Sequence, residues 1–192
     1  GIGIMKYVHP DDTNRKEIKP KAEPAIRFAE ILLIYAEALN ELEEGANYDV
    51  PSWDSSTTYS IKRDIDEMKK GIRPIRRRAG VPDYDLETVY KSQDEFRKKM
   101  KKERQIELMA EGQRYFDLRR WKDAEVEESK KNYGCNFYMS DSKDQKEQFY
   151  TPIEITDLPT AFSRKLYFWP ISHEELKRNK RLTQNPGWTY ND

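Results

Sequence analysis

The sequence has little cysteine and little histidine. One cysteine, Cys135, excludes an internal disulfide bond, and we expect it to be a buried or half-buried thiol. The two histidines, His9 and His173, lie too far apart for the usual zinc spacings. A nucleophile-elbow motif is also absent, so a histidine-dependent catalytic triad has no support. We therefore predict no metal, no cofactor and no catalytic residue.

The sequence also has no excess of positive or negative charge and no long apolar run. Lys plus Arg and Asp plus Glu number 35 each, so the formal net charge is zero, and we do not expect a nucleic-acid partner. No apolar run is long enough to span a bilayer. The first six residues lack both a signal-type apolar stretch and an initiator methionine, which predicts a processed or truncated chain.

Apolar residues are scarce for a chain of this length, but aromatic residues are not. The apolar share is 36%, below the ordinary globular level of about 45–50%. Aromatic residues reach 12%, which argues against disorder. The composition predicts a real core with long polar loops, in which Trp169 and Trp188 serve as structural anchors.

Two helices are predicted in the first half of the chain. The first covers about residues 24–42, with Pro24 in its first turn, and its apolar residues spread so widely that we expect packing from more than one side. The second covers about residues 61–79. Pro74 lies inside it, so a kink or a break is expected there.

The second half is predicted to hold one long and one short helix. The long region covers about residues 86–121, with apolar residues on two faces that favour deep burial. The short helix, about residues 173–179, follows a capping box that begins at Ser172. The polar stretches 46–60 and 122–164 are predicted to be loops.

Three segments together resemble the C-terminal region of the SusD/RagB family. They are residues 26–38, 103–121 and 170–188, the last carrying Asn-Pro-Gly-Trp, and residues 76–80 add an Arg-x-Arg-Ala-Gly helix end. Their order and spacing match the family over nearly the whole chain. Pro74 departs from the family pattern, and so does Ser172, which stands where a proline is frequent.

The resemblance implies a mainly α fold of tetratricopeptide-like helix pairs with long irregular loops. Family members are cell-surface lipoproteins of Bacteroidota that take part in polysaccharide utilisation. They bind glycan or peptide nutrients and deliver them to a SusC-like TonB-dependent outer-membrane transporter. By this resemblance, residues 1–192 are the C-terminal part of a longer protein. The lipidated N-terminal cysteine and the N-terminal half, itself a partner of this part, are absent from the chain.

Acidic and basic residues share helix faces in the third predicted helix. Glu103, Glu107 and Glu111 follow i, i+4 spacing; Arg104 lies three residues before Glu107, and Arg114 lies three residues after Glu111. Such partners favour ionised, paired carboxylates over the raised pKa that a glycosidase acid needs. We predict a structural ion-pair network of Glu30, Glu37, Arg104, Glu107, Glu111, Arg114 and Asp117.

Aromatic residues in the polar stretches are the best ligand-binding candidates. Sugars offer C–H faces to aromatic rings and hydroxyls to polar neighbours. Tyr48, Trp53 and Tyr59 lie in one stretch, and Tyr133 and Tyr138 lie in the other. The alternative is that these rings pin the loops to the body of the protein.

Three function classes are open from the sequence. The leading one is nutrient binding for outer-membrane uptake, without enzyme activity. A helix-pair scaffold that binds only other proteins is the second. A glycosidase that uses Glu107 and Glu111 is the third, and the predicted ion pairs argue against it.

Overall fold

The computed structural model describes residues 6–9, 12, 24–136, 148–157 and 160–189. The chain forms two compact units, residues 4–114 and residues 115–192 with 1–3. Helices predominate over strands, as predicted. Within the described ranges, no helix combines the length and the apolar character that crossing a membrane requires.

The unit of residues 4–114 is built on a helix pair. Helix α1 is Phe28–Asn40 and helix α2 is Ile65–Arg78, and both are shorter than the sequence predicts. Each buries one side at helical spacing, which joins the two helices through a shared apolar core. The buried apolar residues are Leu33, Ala36, Leu39, Met68, Ile72 and Ile75.

Helix α2 passes through Pro74 without interruption, so the predicted break is wrong. The Asp64 carboxylate begins the helix by accepting hydrogen bonds from two backbone N–H groups of the first turn. Three arginines occupy its last turn, where the helix dipole favours cations. Gly80, with a φ of +71°, follows the helix end. Caps at both ends and the buried face together maintain the helix despite the proline.

The predicted long helix of residues 86–121 consists of three segments. A π-helical turn at Leu86–Tyr90 is followed by α3, Gln93–Glu107, and α4, Gln113–Arg120. Between α3 and α4 the backbone enters the left-handed region twice, at Ala110 and at Gly112.

The deep burial predicted for two faces of this region holds for one face only, since Leu108 and Leu118 are 3% and 5% exposed. Ile106 is 60% exposed and Phe116 is 64% exposed. Because the helical period restarts after Gly112, residues that a continuous helix would align do not share one buried face.

The stretch 46–60, predicted to be a loop, forms most of a β-hairpin. Strand β1, Tyr48–Pro51, pairs antiparallel with strand β2, Thr58–Ile61. Each strand has four residues, too few for their alternation to stand out among the surrounding Ser, Thr and Asp.

The stretch 122–164 is not wholly irregular either. It contains the short helix α5, Ala124–Glu127, and an antiparallel pair of strands, β3, Asn132–Cys135, and β4, Pro152–Ile155. Cys135 is exposed at the end of β3, so the expectation of a buried or half-buried thiol is wrong.

Helix α6, His173–Arg178, lies close to its predicted position in the unit of residues 115–192. The Ser172 hydroxyl caps it by accepting from the Glu175 N–H at 3.4 Å, as the capping box predicts. The buried apolar residues of this unit, within its described part, are Leu118, Ala124 and Leu176.

The chain end is fixed to a 3-10 helical turn, Arg164–Tyr167, and to the irregular backbone between that turn and α6. Trp188 donates its indole N–H to the carbonyl oxygens of Lys165 and Phe168, each at 3.0 Å, which confirms its anchor role. The Gln184 amide pairs with both backbone groups of Ile171, accepting at 2.8 Å and donating at 2.9 Å. Trp169, by contrast, is 75% exposed and is not a buried anchor.

Replacing Gly71 with alanine should destabilise the helix pair. A Cβ at this position would lie 2.5 Å from the Leu32 carbonyl oxygen and 2.8 Å from the Ala36 Cβ. Helix propensity alone predicts a gain of about 1 kcal/mol. Overpacking should reverse the sign and lower the free energy of unfolding by roughly 1–3 kcal/mol.

Urea denaturation followed by circular dichroism measures this change. Lys70→Ala, an exposed neighbour on the same helix, is the control and should change the free energy by less than about 0.5 kcal/mol. A Gly71→Ala variant more stable than the parent would contradict the close approach of α1 and α2.

Candidate functional site

One arginine holds two of the predicted network carboxylates. Arg27 binds Glu111 through two nitrogens, at 2.9 Å and 2.7 Å, and binds the Glu107 carboxylate at 2.9 Å. The side chains of Arg27, Glu107 and Glu111 are 18%, 10% and 11% exposed. The two carboxylates therefore share one guanidinium in a largely dry environment.

Lys6 completes this cluster at the end of α3. Its ammonium donates to the backbone carbonyls of Glu107 and Met109, at 2.8 Å and 3.0 Å, and forms an ion pair with Glu111. Carbonyls at a helix C-terminus lack partners within the helix, and a cation there is favourable. The Lys6 ammonium thus satisfies backbone carbonyls at the left-handed turn that follows α3.

Burial of Glu111 opposes its ionisation, but hydrogen bonds from Arg27 and Lys6 outweigh that effect. The pKa of Glu111 therefore lies below its usual range. The carboxylate is kept charged, which suits a structural ion pair and not a proton donor.

The arginines at the end of α2 join it to α3. Arg76 binds Glu103 at 2.6 Å, and Arg78 forms an ion pair with Glu107. Tyr84 donates to the same Glu103 carboxylate at 2.6 Å, and burial together with this bond raises the pKa of the phenol. Glu103, Glu107 and Glu111 are thus each held by an arginine, and none faces a cleft as an unpaired acid.

The other predicted network residues are placed as follows. Glu37 and Arg104 are buried, at 7% and 2% exposure, and Asp117 is buried and pairs with Arg120 at 2.9 Å. Glu30 lies in the first turn of α1. Arg114 is half-buried near the start of α4.

Three of the predicted ligand-binding aromatics belong to the β1–β2 hairpin. The register pairs Tyr48 with Ile61 and Val50 with Tyr59. Because side chains alternate along a strand, these four residues share one face. Tyr48, Val50 and Tyr59 are 38%, 43% and 56% exposed. We call this surface the hairpin face.

Trp53 projects from the turn of the hairpin and is 98% exposed. The turn beneath it is ordered by Asp54, whose carboxylate accepts from the Ser52 hydroxyl at 2.6 Å and from the Ser56 hydroxyl and N–H at 2.8 Å and 3.1 Å. These bonds, that from Ser52 foremost, lower the pKa of Asp54 to about 2. The indole is therefore displayed on a fixed turn.

The base of the hairpin is tied to the helical core. Asn40, fully buried at the end of α1, accepts from Arg63 at 3.1 Å and donates to the Gln93 carbonyl at 3.0 Å. Arg63 also donates to the Tyr90 carbonyl at 2.8 Å. Since Asn40 precedes β1 and Arg63 follows β2, both ends of the hairpin are fixed.

The remaining predicted aromatics do not join this face. Tyr133 lies in β3 and is 59% exposed, and Tyr138 lies outside the described residues. The sequence analysis did not identify Phe168 and Trp169 as exposed rings, although they are 59% and 75% exposed. They follow a 3-10 helical turn, Arg164–Tyr167, and no sequence pattern at these positions indicates solvent exposure.

Comparison with known proteins places the chain in a family. A sequence model of the SusD family matches residues 1–188. The chain belongs to the SusD family. This confirms the resemblance carried by its three segments.

The crystal structure of a SusD-like protein from Bacteroides fragilis NCTC 9343 has the same fold. The two share 24% sequence identity with a TM-score of 0.56, over 85% of this SusD-family chain. The match covers 25% of the solved chain, so this chain spans about a quarter of that protein's length. No curated protein matches the sequence.

The SusD-family chain shows no group of three or more His, Cys, Asp or Glu side chains arranged for a metal ion within its described ranges. In the Arg27 cluster, cations and carboxylates pair with one another. The exposed rings of the hairpin face and of Trp53 stay candidates for ligand contact.

Glu111→Gln should destabilise the unit of residues 4–114 in a pH-dependent way. Removing one member of a buried ion pair should lower the free energy of unfolding at pH 7 by roughly 2–4 kcal/mol. Because the folded pKa of Glu111 is depressed, its contribution is present above its unfolded pKa of about 4.3 and disappears as the pH falls through the folded pKa.

Urea titrations at pH 7 and between pH 5 and the acid limit of folding test this prediction. The parent should lose more stability on acidification than the variant does. Glu95→Gln, which removes an exposed pair with Lys98, should cost less than about 0.5 kcal/mol at pH 7. Equal losses in the two variants would contradict the role of the buried cluster.

Proposed function

We propose that this chain is the C-terminal region of a cell-surface nutrient-binding protein that captures glycans, or peptides, for outer-membrane uptake. Membership of the SusD family supports binding over catalysis. Delivery to a SusC-like TonB-dependent transporter and a lipid anchor on an N-terminal cysteine outside this chain belong to the same proposal. The observation that carries the proposal is the exposed, fixed hairpin face with Trp53 at its turn.

The hairpin face has the chemistry of a sugar platform. Flat rings offer a large apolar area with few internal rotations, so holding them against a ligand costs little entropy. Trp53 is displayed on a turn that is already hydrogen-bonded, which lowers the ordering cost further. Asp54 and the serines beside it supply polar atoms next to the ring for sugar hydroxyls.

Tyr133 is proposed as a further contact, and Tyr138 stays a sequence-based proposal. Tyr133 projects from the separate β3–β4 ribbon and offers an exposed ring of the same kind. The peptide alternative uses the same rings, since aromatic side chains and edge strands also bind extended peptides.

A protein-binding scaffold is the second candidate, and one observation favours it. The outer side of α1 exposes Phe28, Ile31 and Ile34, at 75%, 48% and 46%. Adjacent exposed apolar side chains on a helix are typical of a surface covered by another protein segment. Glycan binding by this chain separates the two candidates, because a scaffold would show none.

Trp53→Ala should weaken glycan binding by roughly tenfold or more, because a central tryptophan commonly carries a large share of the binding energy. Glycan-array screening of the parent identifies a bound oligosaccharide, and isothermal titration calorimetry then compares the variants. Tyr59→Ala, on the same face, should also weaken binding.

Trp169→Ala is the matched control, because it removes another exposed tryptophan from the other unit. It should bind the selected oligosaccharide as the parent does. Unchanged affinity in both Trp53→Ala and Tyr59→Ala would remove the hairpin face from the binding site.

A further inference from the structure

The unit of residues 115–192 contains a cavity of about 810 Å³ with a strongly cationic lining. One carboxylate, Glu125, lines it together with five cations. These are Arg119, Arg120, Lys122, Arg164 and Lys165. The whole chain has no net charge, so this concentration is local.

The three arginines already have carboxylate partners, but the two lysines do not. The arginine pairs are Arg119 with Glu128 at 2.9 Å, Arg120 with Asp117 at 2.9 Å, and Arg164 with Glu125 at 3.1 Å. Within the described part of the chain, Lys122 and Lys165 form no ion pair. The Lys165 ammonium lies 4.2 Å from the centre of the Trp188 ring. Two positive charges at the cavity are therefore uncompensated.

The cavity wall is preformed on the lysine side. Trp188 holds the backbone of residues 165–168 through two indole hydrogen bonds of 3.0 Å. A Cβ on Gly187 would lie 2.8 Å from the Lys165 Cβ, so the Gly187 turn packs directly on the lysine stem. Lys165 is thus supported along its length while its ammonium remains without a carboxylate.

Apolar and hydroxyl groups complete the lining. Phe168 lines the cavity with 59% of its surface exposed. Tyr167 also lines it, and its hydroxyl is buried without a hydrogen-bond partner among the described residues. The aromatic rings of Phe168 and Tyr167 therefore give the cavity an apolar wall beside its cations.

We infer that this cavity binds an acidic sugar, a uronate residue of an oligosaccharide. The sugar carboxylate meets the ammonium groups of Lys122 and Lys165, and the C–H face of the ring lies on Phe168. A neutral sugar leaves both lysines uncompensated, and a simple anion leaves the aromatic surface unused. This assignment rests on the proposed glycan-binding function and extends it to charged glycans.

Titration calorimetry of the full chain with tetragalacturonate and with neutral galactotetraose tests the assignment. The parent should bind the acidic tetramer at least tenfold more tightly, and higher salt should reduce that preference. The double variant Lys122→Gln/Lys165→Gln should bind tetragalacturonate at least tenfold more weakly than the parent does. Its affinity for galactotetraose should not change.

The control is Lys177→Gln/Lys180→Gln, which removes the same charge from exposed lysines of the same unit that do not line the cavity. It should change affinity for the acidic tetramer by less than twofold. Equal losses in the two double variants, or no preference for the acidic tetramer, would overturn the assignment. If the Lys165 change impairs folding, Lys122→Gln alone should still weaken acidic binding by at least threefold, and no effect would overturn it.

The same titrations separate this inference from the proposed function. Neutral binding that depends on Trp53, with no acidic preference, would reject the uronate site alone. Acidic binding that depends on Lys122 but not on Trp53 would reject the hairpin platform alone. No binding of any oligosaccharide would reject both.

Discussion

The bidentate contact between Arg27 and Glu111 is the constraint on which the unit of residues 4–114 depends. It joins the residue before α1 to the turn after α3, two points far apart in sequence. Lys6 contacts the same turn and donates hydrogen bonds to backbone carbonyls at and just after the end of α3. Charges so poorly hydrated are tolerable only when each has a partner, so the cluster specifies one arrangement of the chain.

In this arrangement, the helical core supports the hairpin, and the hairpin carries the candidate binding residues. The α1–α2–α3 core is closed by buried ion pairs and by the Asn40 contacts, and the hairpin leaves it between α1 and α2. Aromatic residues on the hairpin are therefore carried on a fixed base, which favours a binding surface that needs little rearrangement. The second unit has fewer buried apolar residues in its described part, and it relies on side-chain contacts to backbone carbonyls, such as those of Trp188.

The helices could be predicted from the sequence wherever apolar residues keep one helical spacing over several turns. α1 and α2 have such periods, and α6 has an explicit capping signal at Ser172. The break after α3 was not predicted, because Ala110 carries no sign of its left-handed backbone and a lone glycine is compatible with a helix. The β1–β2 hairpin was missed because four-residue strands give too short an alternation.

The site residues, too, could be predicted only in part from the sequence. Residue types and spacing indicated that Glu107 and Glu111 would be paired, but their shared partner, Arg27, is some eighty positions away and required the fold. The rings of Tyr48, Trp53 and Tyr59 were identified from composition, while their common face depends on strand register. The cationic cavity was missed because its lining comes from separate stretches between residues 119 and 187.

The side-chain amide of Gln184 has a consequence for the irregular backbone just before α6. An extended backbone with open donors and acceptors is a template on which another chain can add a strand. By bonding both groups of Ile171, the amide occupies the place that an intruding peptide would take. A single glutamine thus leaves neither backbone group of Ile171 open to another chain.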